Sequence, residues 1–189
     1  LGKVFTMRDL TDADAMASEF VEGRRVLIIG GGYIGLEAAA VAATRGLNAT
    51  LVEMSDRILS RVAAPQTSDY FRNLHQSHGV NIKEGVALIR LNGDGARVSH
   101  AELSDGSELE IDFAIVGVGI VPATDLAKAS GLEITDGIKV NSLGQTSDPA
   151  IWAAGDCCEF PYKNTELRLE SVPNAIDQAE AVAQNILGA

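Results

Sequence analysis

Three closely spaced glycines mark the segment of this sequence best suited to bind a phosphate. The apolar run Arg25–Ile29 ends at Gly30, and the spacing Gly30-x-Gly32-x-x-Gly35 follows at once. In this spacing the first glycine makes a tight turn, the second admits a pyrophosphate, and the third lets a helix pack closely on a strand. Free N–H groups and the positive dipole at the helix start favour the phosphates. The spacing therefore predicts a dinucleotide-binding turn.

An acidic residue stands where such a turn needs one. Glu53 ends the second predicted strand, Ala49–Glu53, about 20 residues past the glycines, where a carboxylate accepts hydrogen bonds from ribose hydroxyls. A 2′-phosphate would meet like charge there, so NADH is favoured over NADPH. Arg57 and Arg61 lie nearby. They suit phosphate or adenine, an arginine can also serve NADP, and a solvated surface arginine is equally compatible with the pattern.

A second candidate site lies at the end of the segment Thr146–Asp156. Ile151 and Trp152 look like part of a buried strand that ends in Gly155 and Asp156. Gly155 permits close approach of a ligand chain, and Asp156 can accept hydrogen bonds from polyol hydroxyls. An ordinary turn at a strand end fits the same residues, and the pattern alone does not separate the two interpretations.

The elements around these residues predict an α/β fold, with a Rossmann-like parallel sheet and an antiparallel β-meander. Short continuous apolar runs indicate buried parallel strands, and an Ala-rich helix between two of them makes one βαβ unit. Turn signals at Asn92–Gly95 and Ser104–Gly106 indicate a meander over residues 86–111. The predicted strands are Arg25–Ile29, Ala49–Glu53, Phe113–Val116, Ile138–Val140 and Ile151–Trp152, and the predicted helices are Asp12–Phe20, Tyr33–Arg45, Pro65–His78, Thr124–Ser130 and Pro173–Leu187.

Composition narrows the classes of partner and the compartment. The net charge is −11, which argues against nucleic acid, because phosphate binding needs a basic face. No apolar run approaches the roughly 20 residues that cross a bilayer, so we expect no membrane span. The two cysteines, Cys157 and Cys158, form no disulfide framework and indicate a reducing compartment, the cytoplasm. No metal ligands are predicted.

Four segments in order carry a family resemblance: Gly30–Glu37, Gly117–Pro122, Thr146–Asp156 and the closing Leu167–Gln178. Together they resemble the pyridine-nucleotide-dependent flavoprotein oxidoreductases. The closing segment is similar to that of NADH-dependent ferredoxin reductases of the putidaredoxin and rhodocoxin reductase type, which serve cytochrome P450 and dioxygenase systems. The resemblance covers nearly the whole chain.

For NADH, the resemblance implies a set of contacts along the first βαβ unit. Tyr33 and Glu37 would flank the nicotinamide, although both also suit an ordinary first helical turn. Arg61 would contact the adenosine end, and Gly117 and Gly119 would line the nicotinamide side. The implied NADH-binding residues are Gly30, Gly31, Gly32, Tyr33, Ile34, Gly35, Glu37, Glu53, Arg61, Gly117, Val118 and Gly119.

For FAD, the resemblance implies contacts in the last third of the chain. Gly155 and Asp156 would hold the ribityl chain. Ser171 and Val172 would place a helix N-terminus beside the flavin pyrimidine, where its dipole stabilises negative charge on the reduced ring. Glu170 would lie close by.

The resemblance also implies how the chain is organised. Residues 1–22 would be a lead-in from the FAD domain, and residues 23–124 would be the NAD-binding domain. Residues 125–189 would be the returning segment of the FAD domain, which is similar in fold to the NAD-binding domain and is incomplete in this sequence. A complete family member carries a second glycine fingerprint in an N-terminal half and an interface domain after the closing helix. This sequence has one such fingerprint.

The implied activity is electron transfer from NADH through FAD to a ferredoxin-type iron–sulfur protein, with no catalytic side chain. Two alternatives remain open: an NADH oxidase, peroxidase or disulfide reductase of the same superfamily, and a non-catalytic nucleotide-binding fragment. Disulfide reductases need a redox pair such as Cys-x-x-Cys. Cys157 and Cys158 are adjacent instead, and we expect them to be buried small side chains.

Overall fold

The computed structural model describes residues 1–188. The chain divides into two compact units, Leu1–Gly119 and Ile120–Ala189. Parallel and antiparallel sheets combine with helices, and the predicted α/β class is confirmed. Within the described residues, no helix is both long and apolar enough to cross a membrane.

The first unit is built on a parallel sheet of five strands in the order β1-β8-β2-β3-β4, and a separate antiparallel sheet has the order β5-β6-β7. Its elements are β1 (Val4–Thr6), α1 (Leu10–Ala17), β2 (Arg25–Ile29), α2 (Tyr33–Thr44), β3 (Asn48–Glu53), α3 (Pro65–Ser77), β4 (Asn81–Glu84), β5 (Leu88–Gly93), β6 (Val98–Leu103), β7 (Glu108–Glu110) and β8 (Phe113–Val116).

The central strands are apolar throughout because both faces of the sheet are covered. Ile28 and Ile115 face a core shared with α2, whereas Leu27 and Ala114 face a core shared with the antiparallel sheet. All four side chains are fully buried. This double burial stabilises the ends of β2, β3 and β8, from which the loops of the candidate site emerge.

Residues 1–22 lie in the first compact unit, and the lead-in from a FAD domain that the resemblance implies for them stays a prediction. β1 pairs in parallel with β8, and the buried carboxylate of Glu19 forms ion pairs with Lys3 and Arg24. A strand of three residues carries too little alternation to be seen in sequence. α1 begins at Leu10, two residues before the predicted start, because Asp9 caps it by accepting from the N–H groups of Thr11 and Asp12.

The second unit contains a small three-stranded sheet in the order β11-β10-β9 and a long closing helix. Its elements are α4 (Asp125–Ala129), β9 (Ile138–Lys139), β10 (Cys158–Tyr162), β11 (Thr165–Leu167) and α5 (Val172–Leu187). The predicted strand Ile151–Trp152 is wrong, since Trp152 makes only an isolated bridge with Gln145 and Ile151 is exposed. A segment of two residues with a single bridging partner does not have enough backbone pairing to extend a ladder.

Candidate functional site

The glycine loop between β2 and α2 is shaped by contacts that exclude side chains. Gly30 has a φ of +106°, and a Cβ there would lie 2.3 Å from the carbonyl oxygen of Gly117, in the loop after β8. A Cβ on Gly35 would lie 1.9 Å from the carbonyl oxygen of Gly30. The first and third glycines therefore let the loop, α2 and the end of β8 approach one another closely, as their spacing predicts.

Gly31 is held on one side by the end of β3 and on the other by the loop that follows this strand. Its N–H donates to Glu53 Oε2 at 2.7 Å, and its carbonyl oxygen accepts from the Leu59 N–H at 2.9 Å. A Cβ on Gly31 would lie 2.7 Å from Cγ2 of Ile58. Both peptide groups of this residue are thus fixed in orientation.

Gly32, in contrast, faces open space. No heavy atom lies within 4 Å of the position that its Cβ would take. It is the N-cap of α2 without a side-chain cap, and the Leu36 N–H is the first to bond back to its carbonyl oxygen, at 3.0 Å. The preceding N–H groups are the unpaired donors of a helix start, and they coincide with its positive dipole. This arrangement fits a pyrophosphate.

Glu53 ends β3 beside this loop and is half-buried. Its Oε1 accepts from the Ser55 N–H at 2.7 Å, while Oε2 holds Gly31. A carboxylate has about four lone-pair sites, so each oxygen keeps capacity for one more donor, such as a ribose hydroxyl. Glu53 can therefore orient the glycine loop and bind a ligand at the same time.

The two arginines whose roles the sequence left open have different surroundings in the structure. Arg57 is engaged within the unit, donating from Nη1 to Ser68 Oγ at 2.7 Å and from Nη2 to the Ser60 carbonyl oxygen at 3.1 Å. Arg61 is exposed, with Nη2 3.7 Å from the position of a Cβ on Gly119. Two positions that the resemblance assigns to opposite ends of NADH are thus neighbours.

The remaining predicted NADH contacts surround this loop on the surface of the first unit. Tyr33 is 60% exposed and Ile34 38% exposed in the first turn of α2, and Glu37 follows on the exposed side. Val118, between the two glycines after β8, is 66% exposed. These side chains are accessible to a ligand, and their roles stay predictions.

In the second unit, the turn before β10 carries the predicted polyol site. Gly155 is buried at a φ of +82°, and its N–H donates to Gln178 Oε1 at 2.8 Å. The exposed carboxylate of Asp156 accepts from the Ser171 N–H at 3.3 Å through Oδ1. Arg168 links its surroundings, donating to the Asp156 carbonyl oxygen at 3.2 Å and pairing with Glu170 Oε1 at 3.0 Å.

The start of α5 offers further unpaired donors. Its N-cap, Ser171, makes no side-chain capping bond, and Val172 is 74% exposed. Within residues 1–188, the Asn174 amide nitrogen Nδ2 is the buried side-chain polar atom that lacks a hydrogen-bond partner. A buried donor of this kind is costly unless a ligand or water accepts from it. The residue lies in the closing segment, but its spacing carried no signal of this role.

The two cysteines are free thiols with different surroundings. Cys158 is fully buried, as expected, with Sγ 3.3 Å from Gln178 Oε1, and burial raises the pKa of this thiol to about 11. Cys157 is only partly buried, and its Sγ lies 3.6 Å from the Ala154 carbonyl oxygen. Among the described residues, no cluster of His, Cys, Asp or Glu has the geometry of a metal site.

The family of the chain follows from comparison with known sequences. The profile of the pyridine nucleotide-disulphide oxidoreductase family matches residues 1–179, and the chain belongs to this family. The chain is 44% identical over 192 residues to a ferredoxin–NAD(P)+ reductase of a Sphingomonas species, covering 100% of this chain and 46% of that protein.

Solved structures give the same result. A ferredoxin reductase of Rhodopseudomonas palustris is 38% identical with a TM-score of 0.93, covering 100% of this chain and 47% of that one. Putidaredoxin reductase in covalent complex with putidaredoxin is 37% identical with a TM-score of 0.90, covering 98% and 46%. The chain thus spans about half the length of the relatives it matches.

Proposed function

We propose that the protein is an NADH-dependent ferredoxin reductase, in which this chain binds NADH and contributes part of a FAD site. The observation that carries the proposal is the glycine loop. Gly31 is fixed by Glu53 and Leu59, while Gly32 opens the helix start to a phosphate. Family membership supports the same conclusion.

The residues of the first unit would bind and orient the nucleotide. The N–H groups at the start of α2 would hold the pyrophosphate, and Glu53 would accept from the ribose hydroxyls of the adenosine half. A 2′-phosphate would meet the carboxylate of Glu53, which favours NADH over NADPH. Exposed side chains such as Tyr33 and Glu37 would then border the nicotinamide.

The second unit would contribute to the flavin. Asp156 would accept from ribityl hydroxyls, and the start of α5 at Ser171 and Val172 would supply free donors and a positive dipole. The unpaired amide of Asn174 is the observation that supports a ligand there. When bound, FAD supplies the chemistry of accepting a hydride and releasing electrons singly. No side chain is required as a nucleophile or a general acid.

The electron acceptor proposed is a ferredoxin-type iron–sulfur protein. The support is that one relative is called a ferredoxin–NAD(P)+ reductase and that another was solved bound to putidaredoxin. Within this chain, Cys157 and Cys158 are adjacent and Cys158 is buried with a raised pKa, so these two thiols do not form the spaced redox pair of a disulfide reductase.

We also propose that the first unit is the NAD-binding domain and that the second is the returning part of a FAD domain. The boundary at Gly119–Ile120 lies five residues before the position expected from sequence, between residues 124 and 125. The cytoplasm remains the proposed compartment, supported by the two free thiols. Cell fractionation with an antibody to the native protein checks that assignment.

The decisive experiment follows electrons through the purified full-length protein. NADH should bleach the bound flavin, and a [2Fe–2S] ferredoxin from the same cell should then be reduced. NADPH should be a poorer donor at equal concentration. If glutathione disulfide or hydrogen peroxide is consumed instead, while ferredoxin is not reduced, the proposal is contradicted.

A further inference from the structure

The loop between β3 and α3 contains a strained residue beside the glycine loop. Leu59 has a φ of +54°, in the left-handed region that a residue with a branched side chain rarely adopts, and its side chain is buried. Such a conformation persists only where the surroundings enforce it. The hydrogen bonds that enforce the left-handed conformation of Leu59 therefore point to the role of this loop.

One support comes from α3, beneath the loop. The hydroxyl of Ser68 is fully buried and donates to the Ile58 carbonyl oxygen at 2.7 Å. The oxygen of this hydroxyl accepts from Arg57 Nη1 at 2.7 Å, and Arg57 Nη2 donates to the Ser60 carbonyl oxygen at 3.1 Å. The carbonyl groups on both sides of Leu59 are thus held by one cluster.

A second support comes from the end of β4. The carboxylate of Glu84 accepts from the Ile58 N–H at 2.7 Å through Oε1. Arg72 on α3 fixes this carboxylate, with Nε 2.7 Å from Oε2 and Nη2 2.9 Å from Oε1. Hydrogen bonds from Arg72 to Glu84, and then to Asp69, raise the pKa of its guanidinium, so its charge persists.

The strained conformation aims one donor at the glycine loop. The Leu59 N–H bonds to the Gly31 carbonyl oxygen at 2.9 Å. In a trans peptide the carbonyl oxygen and the following N–H point in opposite directions. Fixing the oxygen of Gly31 therefore fixes the direction of the Gly32 N–H, which points away from the β3 loop towards the open start of α2.

We infer that Ser68 and Glu84 are positioning residues for the dinucleotide. Neither needs to touch the ligand. They hold Leu59 in its strained conformation, and Leu59 orients the Gly31–Gly32 peptide that would bind the pyrophosphate. The inference rests on the proposed function, since it assumes that the phosphates lie at the start of α2.

Loss of either positioning residue should weaken binding of the phosphate-bearing half of the nucleotide. In the full-length protein, Ser68→Ala and Glu84→Ala should each weaken both ADP and NAD+ about tenfold, the scale of one hydrogen bond to a charged group. Calorimetry on the oxidised protein measures this without turnover. With NADH as donor, KM should rise more than kcat falls. Glu84→Gln keeps an oxygen for the Ile58 N–H and should recover most of the affinity.

A matched control lies in the antiparallel sheet. The Glu102 carboxylate accepts hydrogen bonds from Arg90 and Asn92 at 2.7 Å each. Its strand, β6, is not one of the elements that hold the glycine loop. Glu102→Ala should leave the affinity for ADP unchanged. An equal loss in this variant would show a general effect of removing a carboxylate and would overturn the inference.

Three further results would overturn the positioning role of Ser68 and Glu84. If Ser68→Ala and Glu84→Ala lower the binding-competent fraction and kcat while the Kd for ADP stays unchanged, the cluster is only structural and the inference is wrong. Should Glu84→Ala fail to fold, unchanged affinities in Ser68→Ala and Glu84→Gln would overturn the inference equally. If the unaltered protein binds neither ADP nor NAD+, the proposed function fails, and the inference falls with it.

Discussion

The two glycine turns of the molecule, Gly30–Gly32 in the first unit and Gly155–Asp156 in the second, are built on different principles. A Cβ on Gly30 would lie 2.3 Å from a backbone oxygen, whereas a Cβ on Gly155 would meet the nearest atom, Cβ of Ala175, at 3.4 Å. In the first turn, Gly30 is enclosed by backbone. The second has room for a small side chain but needs an unusual φ of +82°.

The difference bears on the two proposed ligand sites. In the first, the groups proposed to hold the pyrophosphate are backbone N–H groups, whose directions are set by bonds to Gly31. In the second, two of the groups proposed for the flavin are side chains: the exposed carboxylate of Asp156 and the unpaired amide of Asn174. We therefore expect the first site to be sensitive to backbone packing and the second to side-chain truncation.

The largest effect should separate Gly35→Ala from Gly155→Ala. A Cβ on Gly35 would lie 1.9 Å from the Gly30 carbonyl oxygen, so α2 must move away from the loop. We expect a loss of about 3 kcal/mol or more in the free energy of unfolding. Gly155→Ala should cost about 1–2 kcal/mol, from the left-handed backbone alone. Urea unfolding of both variants measures the difference, and similar costs would contradict the comparison.

Next in size is the effect of Glu53→Ala on nucleotide choice. The substitution removes the acceptor of the Gly31 N–H and the proposed partner of the ribose hydroxyls. NADH binding should weaken by about 1–3 kcal/mol, the range for hydrogen bonds to charged groups. NADPH should lose less, because the repulsion of its 2′-phosphate is relieved. Calorimetry with both nucleotides tests this, and an unchanged ratio of the two affinities would count against the assignment of Glu53.

A smaller effect is expected for Asp156→Ala on flavin retention. Because this carboxylate is exposed, water screens its interactions, and we expect a loss of only about 1 kcal/mol in FAD affinity. The rate of flavin loss during dialysis of the full-length protein, followed by absorbance, measures it. Glu166→Ala, which removes another exposed carboxylate in the same unit, serves as the control. Equal flavin retention in the unaltered protein, Asp156→Ala and Glu166→Ala would refute the proposed role of Asp156.

The smallest effect on electron transfer should come from the cysteines. Replacing Cys157 and Cys158 with Ala should leave NADH-driven reduction of ferricyanide nearly intact, with about 1 kcal/mol lost in stability through Cys158. A collapse of electron transfer at normal flavin content would restore thiol chemistry to the mechanism.

Their titration gives an independent check. Since burial raises the Cys158 pKa to about 11, its thiol stays protonated at pH 8, and iodoacetamide should label Cys157 first. The folded state holds this proton more tightly than the unfolded chain. The contribution of Cys158 to stability should therefore be complete below pH 9 and be lost as pH rises through about 11. Faster labelling of Cys158 would contradict the assignment.

Much of the first unit was predictable because its signals are local. The strands Arg25–Ile29 and Phe113–Val116 have the predicted bounds, since strands buried on both faces are continuously apolar. The glycine spacing and Glu53 likewise predict a site, because both lie within one βαβ unit. Short edge elements such as β1 carry too few residues for a pattern, and tertiary pairing with β8 alone makes β1 a strand.

The amino-acid sequence by itself determined the α/β class, the glycine turn and the family, because each is written in spacings of a few residues. Only the tertiary structure decided that Arg57 is a structural residue, that Leu59 adopts a left-handed backbone, and that Ser68 and Glu84 support it. These residues come from a loop, a helix and a strand. No spacing reveals such a network, since its hydrogen bonds exist only after α3 and β4 have packed beside β3.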